Sequence, residues 1–381
     1  MKYGILTIND KSNYGNRLQN FALQEILKKY GQVETINNVY GLYNKNYKQR
    51  IINKLKYYMK KMMPVNPAHI RSLNFENFEK HIKKSKYLID KEHIPEKIQN
   101  KYDKFIIGSD QVWNPYFERM SKIDFALFAP KEKVISYAAS FGVNDIPEDK
   151  KREYINGLNN VSKISVREES GAKIVRELTG RDAQVVLDPT LLLEKKEWKE
   201  VIKKPRNIPT KKYILTYFLG NISEERRSRL AELAKKNDYE IVNLGKIEYP
   251  EYFIAGPSEF LWYFENAKII FTDSFHACVF SIIFDKTFYY MNREDKEISM
   301  NSRIETLFKT FELEDRKFEN WKNVILEHNY LNVGEILKRE KEKSLKFLED
   351  VFLLVSATDN KELNDKKCRK CIKFTEIMNV S

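Results

Sequence analysis

Ala267-Lys-Ile-Ile-Phe-Thr-Asp-Ser-Phe-His276-Ala-Cys-Val-Phe-Ser-Ile-Ile-Phe284 reads as a strand that runs straight into a helix. Ile269, Ile270 and Phe271 form a short apolar run, the pattern of a strand buried in a parallel sheet. Thr272, Asp273 and Ser274 are N-cap residue types. Ala277, Phe280, Ser281 and Phe284 then recur at helical spacing. His276 therefore falls in the first turn of a buried helix, at the carboxyl end of a strand. Open α/β sheets bind ligands at that place. Free backbone N–H groups and the positive end of the helix dipole favour an anion there. A histidine so placed either carries chemistry or merely finishes a buried turn.

The same pattern, an apolar strand ending in polar residues, recurs upstream. Tyr3 to Ile8 is a first strand, followed by a polar loop over 9–16. A helix follows with Leu18, Phe21, Ala22, Ile26 and Leu27 on its apolar side, and then a strand over Gln32–Asn37. This is a β-loop-α-β unit. The loop is not GxGxxG, so it announces no dinucleotide. Asn13, Tyr14, Gly15 and Asn16 would line a cleft at the helix N-terminus. Further strands over 102–108, 134–140, 163–171 and 184–189 deliver Asp110, Gln111 and Trp113, then Phe141-Gly142, then Arg167 and Glu168, then Asp188-Pro189.

Residues 204–212 carry two prolines and four basic residues and read as a linker. A second series follows. Strands lie over 213–218, 240–244, 269–271 and 287–291. Helices lie over 223–236, from 256, over 275–284 and over 302–311. A Lys/Glu-rich helix over about 333–354 closes the fold. The fold class is α/β: two Rossmann-like domains, 1–205 and 206–355, facing a central cleft in a GT-B-like arrangement, with terminal crossover helices. A basic tail occupies 356–381, and a basic helical insertion occupies about 41–100.

With 381 residues, 42% of them hydrophobic and 13% aromatic, the chain has enough apolar material for two or three cores. The net charge of +13 is spread along the chain and permits nucleic acid, an anionic membrane or a negatively charged substrate. No zinc-finger spacing, RRM-type aromatic motif or basic heptad region is present, so nucleic acid is not expected as a partner. Between Asn44 and Met63, seven basic residues and no acid interleave with Ile51, Ile52, Leu55, Tyr58, Met59 and Met62. That segment is either a basic amphipathic helix touching anionic lipid at the membrane's inner face or a solvated insertion. No stretch approaches the roughly 20 apolar residues of a membrane span, and no signal peptide is visible, so a cytoplasmic location is expected. Cys278 reads as a small core residue. Cys368 and Cys371 form a lone CxxC in the tail, half of a zinc site, and read as an exposed reduced pair.

The set Asn13-Tyr-Gly with Leu18-Gln19, Ile107-Gly-Ser-Asp-Gln-Val-Trp-Asn114, Ser165-Val-Arg-Glu-Glu169, Leu187-Asp-Pro-Thr190 and Thr272-Asp-Ser-Phe-His276 resembles the polysaccharide pyruvyl transferases. The motifs stand in that family's order over residues 3 to 310. The resemblance implies transfer of pyruvate from phosphoenolpyruvate to hydroxyls of a cell-surface polysaccharide or its lipid-linked precursor, forming a ketal, with no metal, nucleotide or other cofactor. His276 matches the family's catalytic histidine, and Arg167 matches an arginine set against phosphoenolpyruvate. Some members carry a second arginine two residues before the histidine, where this chain has Ser274. The same architecture also serves nucleotide-sugar glycosyltransferases and non-catalytic glycan- or anion-binding proteins.

On this expectation the domain over 206–355 is the donor side and the domain over 1–205 the acceptor side. Arg167 offers a planar fork to one anionic group of the donor, and the helix start at Ser274 and Phe275 offers N–H groups to the other. Histidine suits general acid or base work near neutral pH. Glu168, Asp188 and Asp273 are the nearby carboxylates, one of which would orient the histidine; each also has a plainer reading, as a strand-end charge, a cap before Pro189 and a helix cap, with Glu168 and Asp273 taken into the catalytic set. Asn13, Tyr14, Asn16, Asp110 and Gln111 would meet acceptor hydroxyls. Trp113 either stacks a sugar ring or fills the core.

Overall fold

The computed structural model describes residues 1–10, 12–38, 66–118, 120–294, 302–327, 330 and 332–352. The basic segment over 44–63 and the Cys368/Cys371 pair lie outside them. The first sheet contains β1 (Lys2–Leu6), β2 (Gln32–Asn38), β3 (Lys84–Ile89), β4 (Lys104–Ile107) and β5 (Val134–Ser136), all parallel, in the order β3-β2-β1-β4-β5. That is the Rossmann-like order, with its crevice between β1 and β4. Two short parallel strands, β6 (Ser165–Val166) and β7 (Gln184–Val185), extend it past β5 through single bridges at Ile135–Lys163 and Ala139–Val166. The second sheet holds β8 (Tyr213–Tyr217), β9 (Glu240–Asn243), β10 (Ile269–Thr272) and β11 (Thr287–Tyr290), again parallel, in the order β11-β10-β8-β9. Its crevice lies between β8 and β10.

The helices follow the apolar periodicity. They are α1 (Tyr14–Leu27), α2 (Pro67–Glu79), α3 (Lys151–Asn159), α4 (Glu169–Thr179), α5 (Lys195–Lys199), α6 (Glu224–Asn237), α7 (Pro250–Phe253), α8 (Pro257–Asn266), α9 (Phe275–Ile283), α10 (Ser302–Phe311) and α11 over 333–352. The opening stretch of the sequence becomes β10 and α9, the centre of the second domain. All four residues of β10 and all nine of α9 are buried, because α9 is covered by its own sheet on one side and by the first domain on the other. Phe280 of α9, for example, meets the edge of Trp198 on α5 at 5.0 Å between ring centroids.

The insertion expected over 41–100 differs in kind from its reading. Its described part holds α2 but also β3, a parallel edge strand of the first sheet. Lys-Ser-Lys-Tyr-Leu-Ile buries only Ser85 and Ile89, and an edge strand with one wet face lacks the continuous apolar run that marks a buried parallel strand. The terminal helix α11 crosses back to the first domain. Phe352 packs on Tyr3 and Tyr30, and the Ser344 hydroxyl accepts the Leu187 N–H at 3.0 Å. No helix among the described residues is long and apolar enough to cross a membrane.

Candidate active site

Each sheet crevice is closed by hydrogen bonds between the two loops that flank it. In the first domain, Asn16 in the first turn of α1 donates its side-chain amide to the Asp110 carboxylate after β4. Asp110 holds φ at 74°, the left-handed region that Asp tolerates better than most residues. Its Oδ1 accepts the Gln111 N–H at 2.8 Å. In the second domain, Asp273 after β10 accepts the N–H groups of Leu219 and Gly220 after β8, at 2.6 and 2.8 Å, and pairs with Arg293 at 3.2 Å. Asp273 therefore ties two loops together and has spent both oxygens, which corrects its reading as a carboxylate partner of His276.

The two crevices face one another, and the first turns of α1 and α9 meet between them. Gly15 makes the meeting possible. A β-carbon at Gly15 would fall 2.2 Å from His276 Nδ1 and 2.8 Å from its Cγ, so the imidazole lies against the bare backbone of α1. Asn13 caps α1 by accepting the Asn16 N–H at 3.1 Å. Ser274 has the extended backbone of an N-cap (φ −105°, ψ 129°), but its side chain makes no capping bond. Its N–H donates instead to Thr272 Oγ1 at 3.0 Å. Two helix N-termini, each with a positive dipole end, thus converge on one buried histidine.

Asp188, the N-cap residue of the turn after β7, is the carboxylate beside that histidine. Its Oδ2 lies 2.7 Å from Arg167 Nη1, 2.9 Å from the Ser109 hydroxyl and 3.7 Å from His276 Nε2. Its Oδ1 accepts the N–H and hydroxyl of Thr190 at 3.0 and 2.6 Å. Burial alone would raise the Asp188 carboxyl, but His276, then Arg167, then Thr190 outweigh it and hold the group far below the usual carboxylate range. Asp110 is likewise lowered against burial, by Arg167, His276 and Arg303. Both carboxylates are fixed anions at neutral pH.

Glu168 is fully buried, with one oxygen accepting from the Ser140 hydroxyl at 3.0 Å and the N–H groups of Phe141 and Gly142 at 2.8 and 3.0 Å. It braces the loop after β5 and is no partner of the histidine in this arrangement. Gln111 is buried over Gly142, whose φ of 67° and missing side chain leave room for it. Trp113 is a core residue. It is fully buried, stacks on Phe125 at 5.6 Å and donates its indole N–H to the Asp124 carbonyl, so no face is left for a sugar. Tyr14 also leaves the acceptor set. Its hydroxyl donates to the Ala255 carbonyl across the domain boundary at 2.8 Å and its ring stacks on Phe260 at 4.5 Å. Cys278 is buried in the core, and burial pushes its thiol well up.

One side chain that the structure brings to this site was not picked out from the sequence. Arg303, in the first turn of α10, reaches the Phe275 ring with its guanidinium 5.6 Å from the centroid, while Arg167 lies 4.5 Å from the same ring. Arg303 is one of 67 lysines and arginines, and nothing in its local pattern sets it apart from a solvated helix charge. Several buried polar atoms in this region lack a hydrogen-bond partner: Arg167 Nε and Nη2, Arg303 Nε, His276 Nε2 and Glu168 Oε2. Buried polar groups in folded proteins are normally satisfied. Apart from the Glu168 oxygen these are ring or guanidinium nitrogens, three of the four on arginines, and they fit a small anion with an acid–base group at its side.

A family model described as polysaccharide pyruvyl transferase matches residues 13–295. No curated protein matches the chain in sequence. Among solved structures, a UDP-GlcNAc 2-epimerase from Neisseria meningitidis is 11% identical, with 93% of this chain and 100% of that chain covered at a TM-score of 0.44. A UDP-N-acetylglucosamine 2-epimerase from Rickettsia bellii is 10% identical, with 94% and 98% covered at 0.46. The ADP-heptose lps heptosyltransferase II of E. coli is 11% identical, with 93% and 100% covered at 0.33.

Proposed function

This chain belongs to the polysaccharide pyruvyl transferase family, and from that premise we propose that it moves pyruvate from phosphoenolpyruvate onto two hydroxyls of a sugar in a cell-surface polysaccharide or its lipid-linked precursor. The observation that carries this reading is the convergence on Asp188. Arg167 and His276 share its Oδ2, with Arg167 Nε and Nη2 and His276 Nε2 left without hydrogen-bond partners in a buried site. The unpartnered edge of Arg167 is a planar fork suited to a carboxylate or phosphate, and the starts of α1 and α9 add N–H groups of the same sign.

The chemistry needs only the donor, the acceptor and these side chains. His276 gives a proton to C3 of phosphoenolpyruvate, and C2 gains oxocarbenium character. A sugar hydroxyl adds to C2 and returns its proton to His276. A second hydroxyl then displaces the phosphate, which leaves carrying that hydroxyl's proton, and the ketal closes. Asp188 is a fixed anion beside the ring throughout and steadies it when charged. Asn13, Asn16, Asp110 and Gln111 stand on the acceptor side of the histidine's domain boundary, and we assign them to the sugar. We place the enzyme in the cytoplasm, at or near the inner face of the membrane.

The test is to incubate the purified chain with phosphoenolpyruvate and candidate glycosides. Inorganic phosphate should be released and the glycoside should gain the mass of a pyruvate ketal. His276→Ala should keep the fold and lose about 10²–10⁴-fold in rate, the range of a positioned acid–base group. Thermal stabilisation by uridine or guanosine diphosphates, with no phosphate release from phosphoenolpyruvate, would replace this reading with nucleotide-sugar glycosyl transfer.

A further inference from the structure

Building on the pyruvyl-transfer reading, we propose that Arg303, on α10, is the second guanidinium that holds the donor. Arg167 alone fits half of a donor that carries both a carboxylate and a phosphate. One of its corners, Nη1, is committed to Asp188 at 2.7 Å. The opposite edge, Nε with Nη2, has no hydrogen-bond partner, and Nη2 stands 3.6 Å from Asp110. Arg303 repeats the condition from the other domain, with a buried Nε lacking an acceptor. No ion pair among the described residues involves Arg303.

Phe275 arranges the pair. Both guanidiniums lie within cation–π reach of its ring, at 4.5 and 5.6 Å. Their shared ring bounds the separation of the two guanidiniums at about 10 Å. The rings of Phe275 and His276 meet edge to face at 5.4 Å between centroids, so the imidazole stands next to the ring that both arginines share. Arg167, Phe275, Asp188 and Arg303 line one cavity. Burial first, and Arg167 second, lower the Arg303 guanidinium to about 10, against the opposing pull of Asp110 and Glu168. A ligand with two negative groups removes both penalties together, by supplying acceptors and by cancelling the repulsion. A neutral sugar or a single weak acceptor does not.

The experiment measures binding of phosphoenolpyruvate, inorganic phosphate and pyruvate, each alone, to the full chain and to Arg303→Met, Arg303→Lys and Arg167→Met. Circular dichroism and melting verify the fold. Arg303→Met should weaken phosphoenolpyruvate about 10- to 100-fold, the worth of a charge-assisted hydrogen bond. Arg303→Lys, which keeps the charge and loses the fork, should fall between and remains informative if the methionine variant does not fold. Binding of phosphoenolpyruvate and phosphate that is unchanged in both Arg303 variants, while Arg167→Met loses it, would overturn the role of Arg303 and leave the pyruvyl-transfer reading standing. A wild-type chain that binds phosphate but not phosphoenolpyruvate would remove the donor, and the phosphate affinities of the variants would then judge Arg303 separately. A wild-type chain that binds none of the three removes both.

Discussion

The imidazole of His276 and the carboxylate of Asp188 approach one another across the domain boundary, with Nε2 3.7 Å from Oδ2. Neither belongs to the other's sheet. The pair exists only when the two domains are assembled, so acid–base competence and domain assembly are coupled. Asp188→Asn keeps the shape and removes the charge. It leaves Arg167 buried beside a neutral amide, with Asp110 at 3.6 Å as its nearest anion. The expected cost is about 3 kcal/mol of folding stability, the low end for breaking a buried pair. Turnover should fall as well, since the ring loses its fixed anion. Chemical denaturation together with phosphate release measures both, and a variant with native stability would remove Asp188 from the centre of the site.

Gly15 supplies a sharper test because it touches His276 without sharing its chemistry. In Gly15→Ala the new methyl would sit 2.2 Å from Nδ1, so either the ring swings off Asp188 or α1 backs away from α9. A displacement of this order in a reacting group costs about 10²-fold in rate. Alanine is otherwise the better helix residue, by up to about 1 kcal/mol, so the thermal midpoint should move little. A fully active Gly15→Ala enzyme would mean that the imidazole works from a different position.

The fold was readable because its central strands are buried on both faces. β10 and β8 appear in the sequence as mainly apolar runs, each with a single threonine, and both are completely buried. β3 was not readable, because an edge strand with an exposed lysine and a half-wet face carries no such run. The sequence placed His276 and Arg167 at strand ends, and the structure brings both to Asp188 Oδ2. The roles of their neighbours were not legible there. Asp273 and Asp188 both follow a strand, and the sequence offers no way to see that one turns to backbone N–H groups after β8 and the other to the histidine. Trp113 and Tyr14 look the same in sequence whether their rings face a sugar or a core. Arg303 depends on where α10 docks, and that is a tertiary fact.

Arg71 on α2 is a polar tie between the domains. Its Nη1 donates to the carbonyls of Phe253 and Ala255 at 3.0 and 3.2 Å and to the Tyr14 hydroxyl, and Nη2 donates to the Ser12 carbonyl at 3.2 Å. Its guanidinium also lies over the rings of Tyr14, Phe75 and Phe253. Arg71→Ala should cost about 2–3 kcal/mol, from several hydrogen bonds to a charged donor plus lost packing. Tyr14→Phe, which keeps the ring and loses the hydroxyl's two bonds, to the Ala255 carbonyl and from Arg71, should cost about 1–2 kcal/mol. If the two domains then melt separately in calorimetry for Arg71→Ala but not for Tyr14→Phe, the tie is polar. Identical effects of the two substitutions would assign it to ring packing.

Acid should unfasten the site through the same carboxylates. Asp188 and Asp110 both have folded-state pKa values held below their unfolded ones. Such groups contribute stability that is fully present above the unfolded value of about 4 and is lost as pH falls through the folded values. Wild-type stability, read from urea unfolding at stepped pH, should therefore be flat from about pH 7 to 5 on account of these two groups and drop steeply below about 4. Asp188→Asn has already lost the larger of the two contributions. Its curve should start lower at neutral pH and fall less steeply in acid, so that the two proteins converge as Asp188 takes up its proton. Parallel curves would mean that Asp188 carries no such linkage and that the pairing with Arg167 and His276 adds nothing to folding.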